Sequence, residues 1–335
     1  MTIAEYGGPE VLTMVEDFPD PTPSSNRNEP EQVVIKVAAT GVNRMDILVR
    51  SGYPGVKPPL PHVCGADIAG TLVETGERVV VYPLIACGSC PACRAGKPNL
   101  CHIWKSIGMH VKGGYAEYAV VPAQNVFPLP PEISFEEAVS IPVAGLTAYH
   151  ALMTVGKVQP GETVFVWGGG GILGSMAVQI ARDAGARTIA VAGSDQRIEA
   201  LQNLGVDIVL DRRREDVVAR VSQETDGGVD VVLDPIGAAT LEQSQTMLIN
   251  GGRLLLCGIL GGRDAEINIH LTYFHHRSIH GLFLGTREDM EAVTRLVAER
   301  RVLPLIDSVL PLAEAAEAHR KLEAGKHTGK IVLRT

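Results

Sequence analysis

The sequence has few aromatic residues, 4% of 335, and no excess of positive charge. Its 30 Lys and Arg stand against 38 Asp and Glu, a formal net charge of −8. Such a balance gives no electrostatic bias toward nucleic acid or anionic membranes. No uninterrupted apolar run approaches the ~18 residues of a membrane-spanning helix. The stretch from Met1 to Pro9 offers neither a charged nor an apolar leader segment. The six cysteines are not spaced as in a disulfide-stapled secreted domain. What is present is bulk, glycine and proline: 45% apolar residues, 36 Gly and 21 Pro, without a collagen-like period or internal repeat. At about 100–200 residues per domain, the length suggests two domains with sizeable cores. The expectation is a cytosolic globular protein with a small-molecule substrate and neither nucleic-acid nor membrane partners.

Four cysteines, Cys87, Cys90, Cys93 and Cys101, follow one another as C-x2-C-x2-C-x7-C in a Gly/Pro-rich loop. The first three are too close together to pair comfortably as disulfides. Four soft ligands suit a closed tetrahedral metal site, zinc by default with an iron–sulfur cluster as the rival. Such a site has no open position for substrate, so the spacing points to a structural metal. Cys64 and Cys257 lie in apolar stretches and read as small core residues.

Up to about residue 125, short apolar alternations broken by Gly and Pro predict an all-β module, with strands at 32–39, 77–82 and 115–121. Ser134 and Glu137 form a capping-box pattern that opens a helix through Ala138 and Val139. From about residue 160, continuous Val/Ile/Leu runs alternate with helical segments, as in parallel strands buried on both faces. The runs lie at 162–167, 187–192, 207–210, 229–233, 253–257 and 278–283. Helices are expected at 175–184, 195–204 and 287–300, and a last strand at 330–333. The fold class is therefore α/β, with a β domain and a doubly wound parallel-sheet domain.

Gly169-x-Gly171-x-x-Gly174 falls between a predicted strand and a predicted helix, where glycine lets the backbone approach a pyrophosphate at a helix N-terminus. An NAD-preferring chain would put Asp or Glu at the end of the next strand. Here the chain reads Ala192-Gly193-Ser194-Asp195-Gln196-Arg197, a hydroxyl and a cation that accept a 2′-phosphate. NADPH is favoured over NADH, with Asp195 also suited to capping the following helix.

With these segments in place, the chain resembles the medium-chain dehydrogenase/reductase superfamily over nearly its whole length. The resemblance rests on Tyr6-Gly-Gly-Pro-Glu-Val-Leu12, Gly41-Val-Asn-Arg-Met-Asp46, the four-cysteine lobe, the glycine turn, Asp234-Pro-Ile-Gly237 and Gly329-Lys-Ile-Val-Leu333. It implies a GroES-like catalytic domain (1–140, carrying the zinc lobe 87–101), a Rossmann domain (141–285) and a return segment (286–335). The active site would lie in the cleft between the domains of a homodimer or homotetramer. The cofactor set it implies is Arg44, Thr147, Gly169, Gly171, Ile172, Leu173, Gly174, Ser194, Arg197, Gly258 and Lys330. Of these, Arg44 and Lys330 would meet the pyrophosphate, or else be solvated surface charges.

Zinc alcohol dehydrogenases of this superfamily hold a second, catalytic zinc. Their ligand positions fall here at Asn43, Ala66 and Val143, with Asp67 in place of the adjoining glutamate. Their proton-relay positions fall near Met45 and Leu48. No usual ligand remains, so the resemblance points instead to quinone oxidoreductases, whose activated acceptors chiefly need alignment with the nicotinamide. Asn43 is the candidate contact to the acceptor or nicotinamide ribose, and Asp67 the candidate polar or acidic group of the cleft. Asp46 would stand behind them or simply bond the helix entry. Two other readings remain: an alcohol dehydrogenase with a metal site rebuilt from His62, Cys64, Asp46 and Asp67, and a cofactor-binding protein without turnover. His275, His276 and His280 read as surface or interface residues. Arg212, Arg213 and Arg214, flanked by acids, read as a solvated helix start.

Overall fold

Six runs of Val, Ile and Leu in the second half of the chain have no polar face to offer water. In the computed structural model they form one six-stranded parallel sheet. The structure describes residues 1–24 and 30–335, which divide into two units. The first comprises 1–143, 286–298 and 305–335; the second comprises 144–285 and 299–304.

In the second unit the strands lie side by side as Ile208–Asp211, Arg187–Ala192, Thr163–Val166, Val229–Asp234, Leu248–Leu256 and Ser278–Gly281. Counted along the chain this is 3-2-1-4-5-6, the order of a Rossmann fold. Phe165, Ile189, Val232 and Leu254 are buried together at its centre. The fifth strand starts earlier than the sequence predicts. Asn250-Gly251-Gly252 looks like a turn and here bulges out within the strand: Leu248 pairs with Val229, residues 249–252 have no partner on the neighbouring strand, and pairing resumes at Arg253 opposite Val231. The sixth strand ends at Gly281, two residues short of expectation.

The first unit is built on a seven-stranded sheet. Its order is Ile306–Pro311, Lys330–Arg334, Gln32–Gly41, Asp67–Leu72, Arg78–Val81 and Val126–Pro128, and Tyr118–Pro122 also pairs with Gln32–Gly41. All pairs are antiparallel except the first, so alternate side chains feed two cores. One gathers Ile35, Val37, Ile68 and Val79; the other gathers Val42, Val49, Tyr115 and Leu333.

Two expectations change. The return segment is interrupted, because 299–304 packs with the second unit. There Gln179 brackets Leu303 with two hydrogen bonds (2.9 and 2.8 Å), and Arg301 grips Asp183 through Nε and Nη2 (2.7 and 2.6 Å). The capping box forms as expected, Ser134 Oγ accepting from Glu137 N at 3.2 Å and Glu137 Oε2 from Ser134 N at 3.0 Å. The helix does not stop at Val139, however. Helical turns continue to Val155, and Phe135–Val155 is long and apolar enough by length and composition to cross a membrane. Counting uninterrupted apolar residues missed it because Glu136, Glu137 and small residues break the run. Of its apolar window, 72% is buried inside the protein.

Candidate active site and metal lobe

Antiparallel pairing brings three strand ends to one place in the first unit. Gly41, which ends Gln32–Gly41, faces Asp67 on one side and Val332 on the other. A Cβ at Gly41 would lie 2.7 Å from Asp67 Oδ2 and 2.8 Å from Lys330 Nζ, so only glycine leaves a passage for the lysine. Through it the Lys330 ammonium pairs with Asp67 Oδ2 and donates to Asn43 Oδ1 at 2.8 Å. Asn43 Nδ2 donates to Asp67 Oδ2 at 2.7 Å, and the Val143 N–H donates to Asp67 Oδ1 at 3.0 Å. Lys330 and Asp67 are 0% exposed and Asn43 is 8% exposed. Charges so deep are tolerated only when paired and hydrogen-bonded. Since an ammonium can only donate, it fixes the carboxamide: Oδ1 faces Lys330 and Nδ2 faces Asp67.

Asp46 sits directly behind this cluster. Its carboxylate accepts from Asn43 N (2.8 Å) and Gly65 N (3.0 Å), closing the first turn of helix Arg44–Ser51. Burial pushes its carboxyl up to about 7 against the pull of those bonds. Further into the core, Tyr115 Oη meets His319 Nε2 at 3.0 Å, and His319 Nδ1 meets Arg50 Nη1 at 3.1 Å. A guanidinium only donates, so the neutral His319 carries its proton on Nε2 and donates it to Tyr115. Arg50 also pairs with Glu323 and donates to Gly7 O at 3.1 Å. Burial, then the charge of Arg50, pulls His319 down to about 3.

The metal site weighed from His62, Cys64, Asp46 and Asp67 is not assembled. His62 Nε2 bonds the Gly108 carbonyl at 3.0 Å, and Cys64 is a buried thiol pushed up by desolvation. Among the described residues, the one group of three or more His, Cys, Asp or Glu within reach of a single ion is the four-cysteine lobe.

In that lobe the four sulfurs lie within 4.8 Å of one another, with Cys87 and Cys93 3.8 Å apart and Cys90 and Cys93 3.4 Å apart. A tetrahedron of ~2.3 Å Zn–S bonds spaces its sulfurs about 3.8 Å apart, so one zinc ion fits and a multi-iron cluster does not. Backbone N–H groups of Ser89 and Cys90 pull the Cys87 thiol down to about 5, toward the thiolate that a metal needs. Strands Leu84–Ile85 and Lys105–Ser106 pair at the base and close the loop.

The glycine turn of the second unit divides its labour. Gly168 takes φ +65° to leave the strand. A Cβ at Gly169 would lie 2.9 Å from Ala190 Cβ, and one at Gly174 2.6 Å from Gly169 Cα, so these two serve packing. Gly171 differs: the only atom near its missing Cβ is Gly168 O at 3.5 Å, which leaves that face open to a ligand. The N–H groups of Ile172, Leu173 and Gly174 precede the first intrahelical bond, from Ser175 N to Gly171 O (2.8 Å). An open glycine face beside free helix N–H donors fits the pyrophosphate of a nicotinamide dinucleotide.

Beside it, Ser194 caps helix Asp195–Asn203, and the stem of Arg197 lies over Gly170. The sequence reading missed Arg212. Strands Arg187–Ala192 and Ile208–Asp211 are neighbours, with Ala192 opposite Asp211, so Arg212 emerges beside Gly193. Its Nε lies 2.6 Å from where a Gly193 Cβ would be. Arg213 instead bonds Asp211 (2.8 and 2.7 Å) and Asp195 (2.5 Å), while Arg212 has no acidic partner among the described residues. The 3-2-1 strand order is the signal that could have singled it out.

The remaining positions scatter. Arg44 is exposed on the first helical turn, Thr147 is buried within Leu146–Tyr149, and Met45 and Leu48 are half-buried. A Cβ at Gly258 would lie 2.9 Å from the Pro235 carbonyl carbon, so this glycine lets two backbones touch. Lys330 is neither solvated nor free, since its charge is spent within the buried cluster. His275 Nδ1 meets Asn250 Oδ1 (2.7 Å) and His280 Nε2 meets Ser278 Oγ (2.9 Å), so the histidines do not converge.

Comparison with known proteins agrees with this architecture. The alcohol dehydrogenase GroES-like domain family matches residues 29–131, and the zinc-binding dehydrogenase family matches 173–299. An NAD-dependent alcohol dehydrogenase of Sulfolobus acidocaldarius is 35% identical over 322 residues, covering 90% of this chain and 92% of that protein. A quinone oxidoreductase of Mus musculus is 31% identical over 341 residues, covering 99% and 96%. A crystal structure of an NAD-dependent alcohol dehydrogenase aligns with a TM-score of 0.93 at 36% identity, covering 100% of this chain and 98% of that one. Likeness on this scale, joined to an open glycine turn and a four-sulfur lobe, establishes kinship and reaction class together: the chain belongs to the zinc-type alcohol dehydrogenase-like medium-chain dehydrogenase/reductase superfamily and is an NAD(P)H-dependent oxidoreductase.

Proposed function

We propose that this enzyme transfers hydride from NADPH to a quinone or a similarly activated conjugated carbonyl compound, with its zinc confined to the cysteine lobe. One observation carries the reading: the Lys330 ammonium rests on Asn43, which stands at one of the family's catalytic-metal ligand positions, and on Asp67, which adjoins another. A second cation there meets repulsion, and Asn43, Ala66 and Val143 offer neither thiolate nor imidazole. The residues present therefore do not fit a catalytic zinc. Oxidation of an ordinary alcohol needs a Lewis acid or proton relay for the developing alkoxide. A conjugated acceptor is already electrophilic and needs alignment and exclusion of water. The kinship with quinone oxidoreductases supports the same acceptor class.

The glycine turn would hold the pyrophosphate, and a reduced nicotinamide, when bound, supplies the hydride. Ala192 leaves no carboxylate at the strand end, whereas Ser194, Arg197 and Arg212 offer a hydroxyl and two cations to a 2′-phosphate. A homodimer or homotetramer is proposed as well, since edge strand Ser278–Gly281 lies near exposed Ile269, Tyr273, Phe274 and Phe283.

The test is NADPH and NADH consumption against a panel of quinones, enones and enoyl thioesters, with alcohols assayed in the reverse direction. Turnover of conjugated acceptors with NADPH supports the reading. Metal-dependent alcohol oxidation as the main activity overturns it, and cofactor binding without any turnover favours a binding protein. Arg212→Ser should lower the NADPH-over-NADH preference by about 10- to 100-fold. An unchanged ratio removes Arg212 from the 2′-phosphate site.

A further inference from the structure

In the buried cluster the Lys330 ammonium gives two of its three N–H donors to Asn43 Oδ1 and Asp67 Oδ2. Both oxygens of Asp67 are engaged, Oδ1 by Val143 N and Oδ2 by Lys330 and Asn43. The Asn43 carboxamide gives Oδ1 to Lys330 and one Nδ2–H to Asp67. Its second Nδ2–H has no acceptor among the described residues. Asn43, 8% exposed against 0% for Lys330 and Asp67, is also the member of the trio that reaches the surface. An N–H left over on the one member of the cluster that keeps any exposed surface, held in place by a buried ion pair, is a preorganised place for an oxyanion. The site is also shaped for the lysine, since a side chain at Gly41 would displace its ammonium.

We propose that Lys330 is the positioning cation of the reaction. Anchored by Asp67, it orients and polarises the Asn43 carboxamide, whose remaining Nδ2–H binds the carbonyl oxygen of the acceptor. This rests on the reading of the substrate as a conjugated carbonyl. In the balanced step, hydride carries two electrons to the electrophilic carbon, the nicotinamide is oxidised, a π pair shifts to the carbonyl oxygen, and that oxyanion then takes a proton from water. Asn43 meets the oxygen as charge gathers on it, and the ammonium on the far side of the carboxamide strengthens that N–H in surroundings of low dielectric. The chain's own cation thus does, through an amide, what a metal does directly in the zinc enzymes.

The test compares wild type with Lys330→Met/Asp67→Asn, which removes both buried charges together and leaves no unpaired ion. Thermal unfolding and NADPH affinity, read by fluorescence, report whether fold and cofactor site survive. Two functional readouts follow. The first is kcat on a quinone, expected to fall on the order of 100-fold, with KM changed far less. The second needs no turnover: para-nitrophenolate, a stable oxyanion, is titrated into the NADP⁺-loaded protein, and its preference over the neutral phenol should fall on the order of 10-fold. In the Lys330→Ala variant, added ethylammonium should restore both, because it can refill the ammonium position.

A folded double variant with kcat within about 3-fold of wild type and unchanged phenolate preference overturns the proposal while leaving the acceptor class intact. A wild type that reduces no conjugated acceptor sinks the proposed function instead. The phenolate titration then decides the role of Lys330 alone, and an undiminished preference in the double variant overturns it. If the double variant fails to fold, ethylammonium rescue of Lys330→Ala decides: restored phenolate binding supports the role, and its failure to return overturns it.

Discussion

The first unit handles positive charge in two contrasting ways. In the cysteine lobe, four sulfurs from one short loop gather near the surface around the volume of one soft metal ion. In the Asn43–Asp67–Lys330 cluster, a carboxylate and an amide oxygen from distant strand ends enclose an ammonium with no exposed surface. A metal in the lobe would come from solution and depend on its supply. The cluster carries its cation on the chain, which needs no supply but cannot bind substrate as an open metal would. Under the proposed function, one superfamily fold keeps a structural metal while its reaction centre turns to side-chain electrostatics.

The sharpest break in this comparison comes from separating the buried pair. Lys330→Met leaves Asp67 charged and unpartnered and should cost about 3–5 kcal/mol in chemical denaturation; adding Asp67→Asn should restore at least half of that loss. Gly41→Ala should act in the same direction with both charges still present, because its methyl group takes the ammonium's passage. The expected readout is a cost approaching that of Lys330→Met, and a neutral result would mean that the lysine can be rerouted. On the metal side, chelation should lower stability by about 3 kcal/mol relative to free zinc at ~100 times Kd. Hydrogen exchange should speed up across residues 84–106 while NADPH affinity holds. Accelerated exchange at Asn43 would show that the two cation sites are coupled.

A third buried cation, Arg50, gives the smallest effect and a pH signature. Burial, and then the charge of Arg50, holds His319 neutral, with a folded value of about 3 against 6.5 when unfolded. Between those values the unfolded chain binds more protons. The stabilisation from neutral His319 is therefore complete above pH 6.5 and is lost as pH falls toward 3. His319→Gln keeps both hydrogen bonds without titrating. From about pH 6 to about pH 5, wild type should lose about 1.4 kcal/mol relative to the variant. Parallel stability curves would contradict the buried neutral histidine.

What could be read from sequence follows the same division. The lobe was legible because its ligands are neighbours, and the glycine turn because its spacing and its strand–helix setting are local. Asn43, Asp67 and Lys330 all stood out through resemblance, but Lys330 as a contact to the pyrophosphate rather than as the partner of the other two. Lys330 is 287 residues from Asn43 and 263 from Asp67, and only the pairing of three strand ends joins them. Taken alone, a lysine before an apolar strand looks like a surface or phosphate-binding charge. Arg212 was hidden in a run of three arginines, two of which are neutralised by Asp211 and Asp195. The break in the return segment was invisible for a similar reason, since Gln179 reaches Leu303 across 124 positions.

The most direct test of the resident cation is zinc per chain, measured by elemental analysis on protein purified without chelator or added metal, beside a variant with all four lobe cysteines changed to serine. One zinc in the wild type and none in the variant is the predicted result, with the lysine cation taking the place of a second metal. Two zincs in the wild type, or one persisting without the cysteines, would place a metal outside the lobe and contradict the central claim.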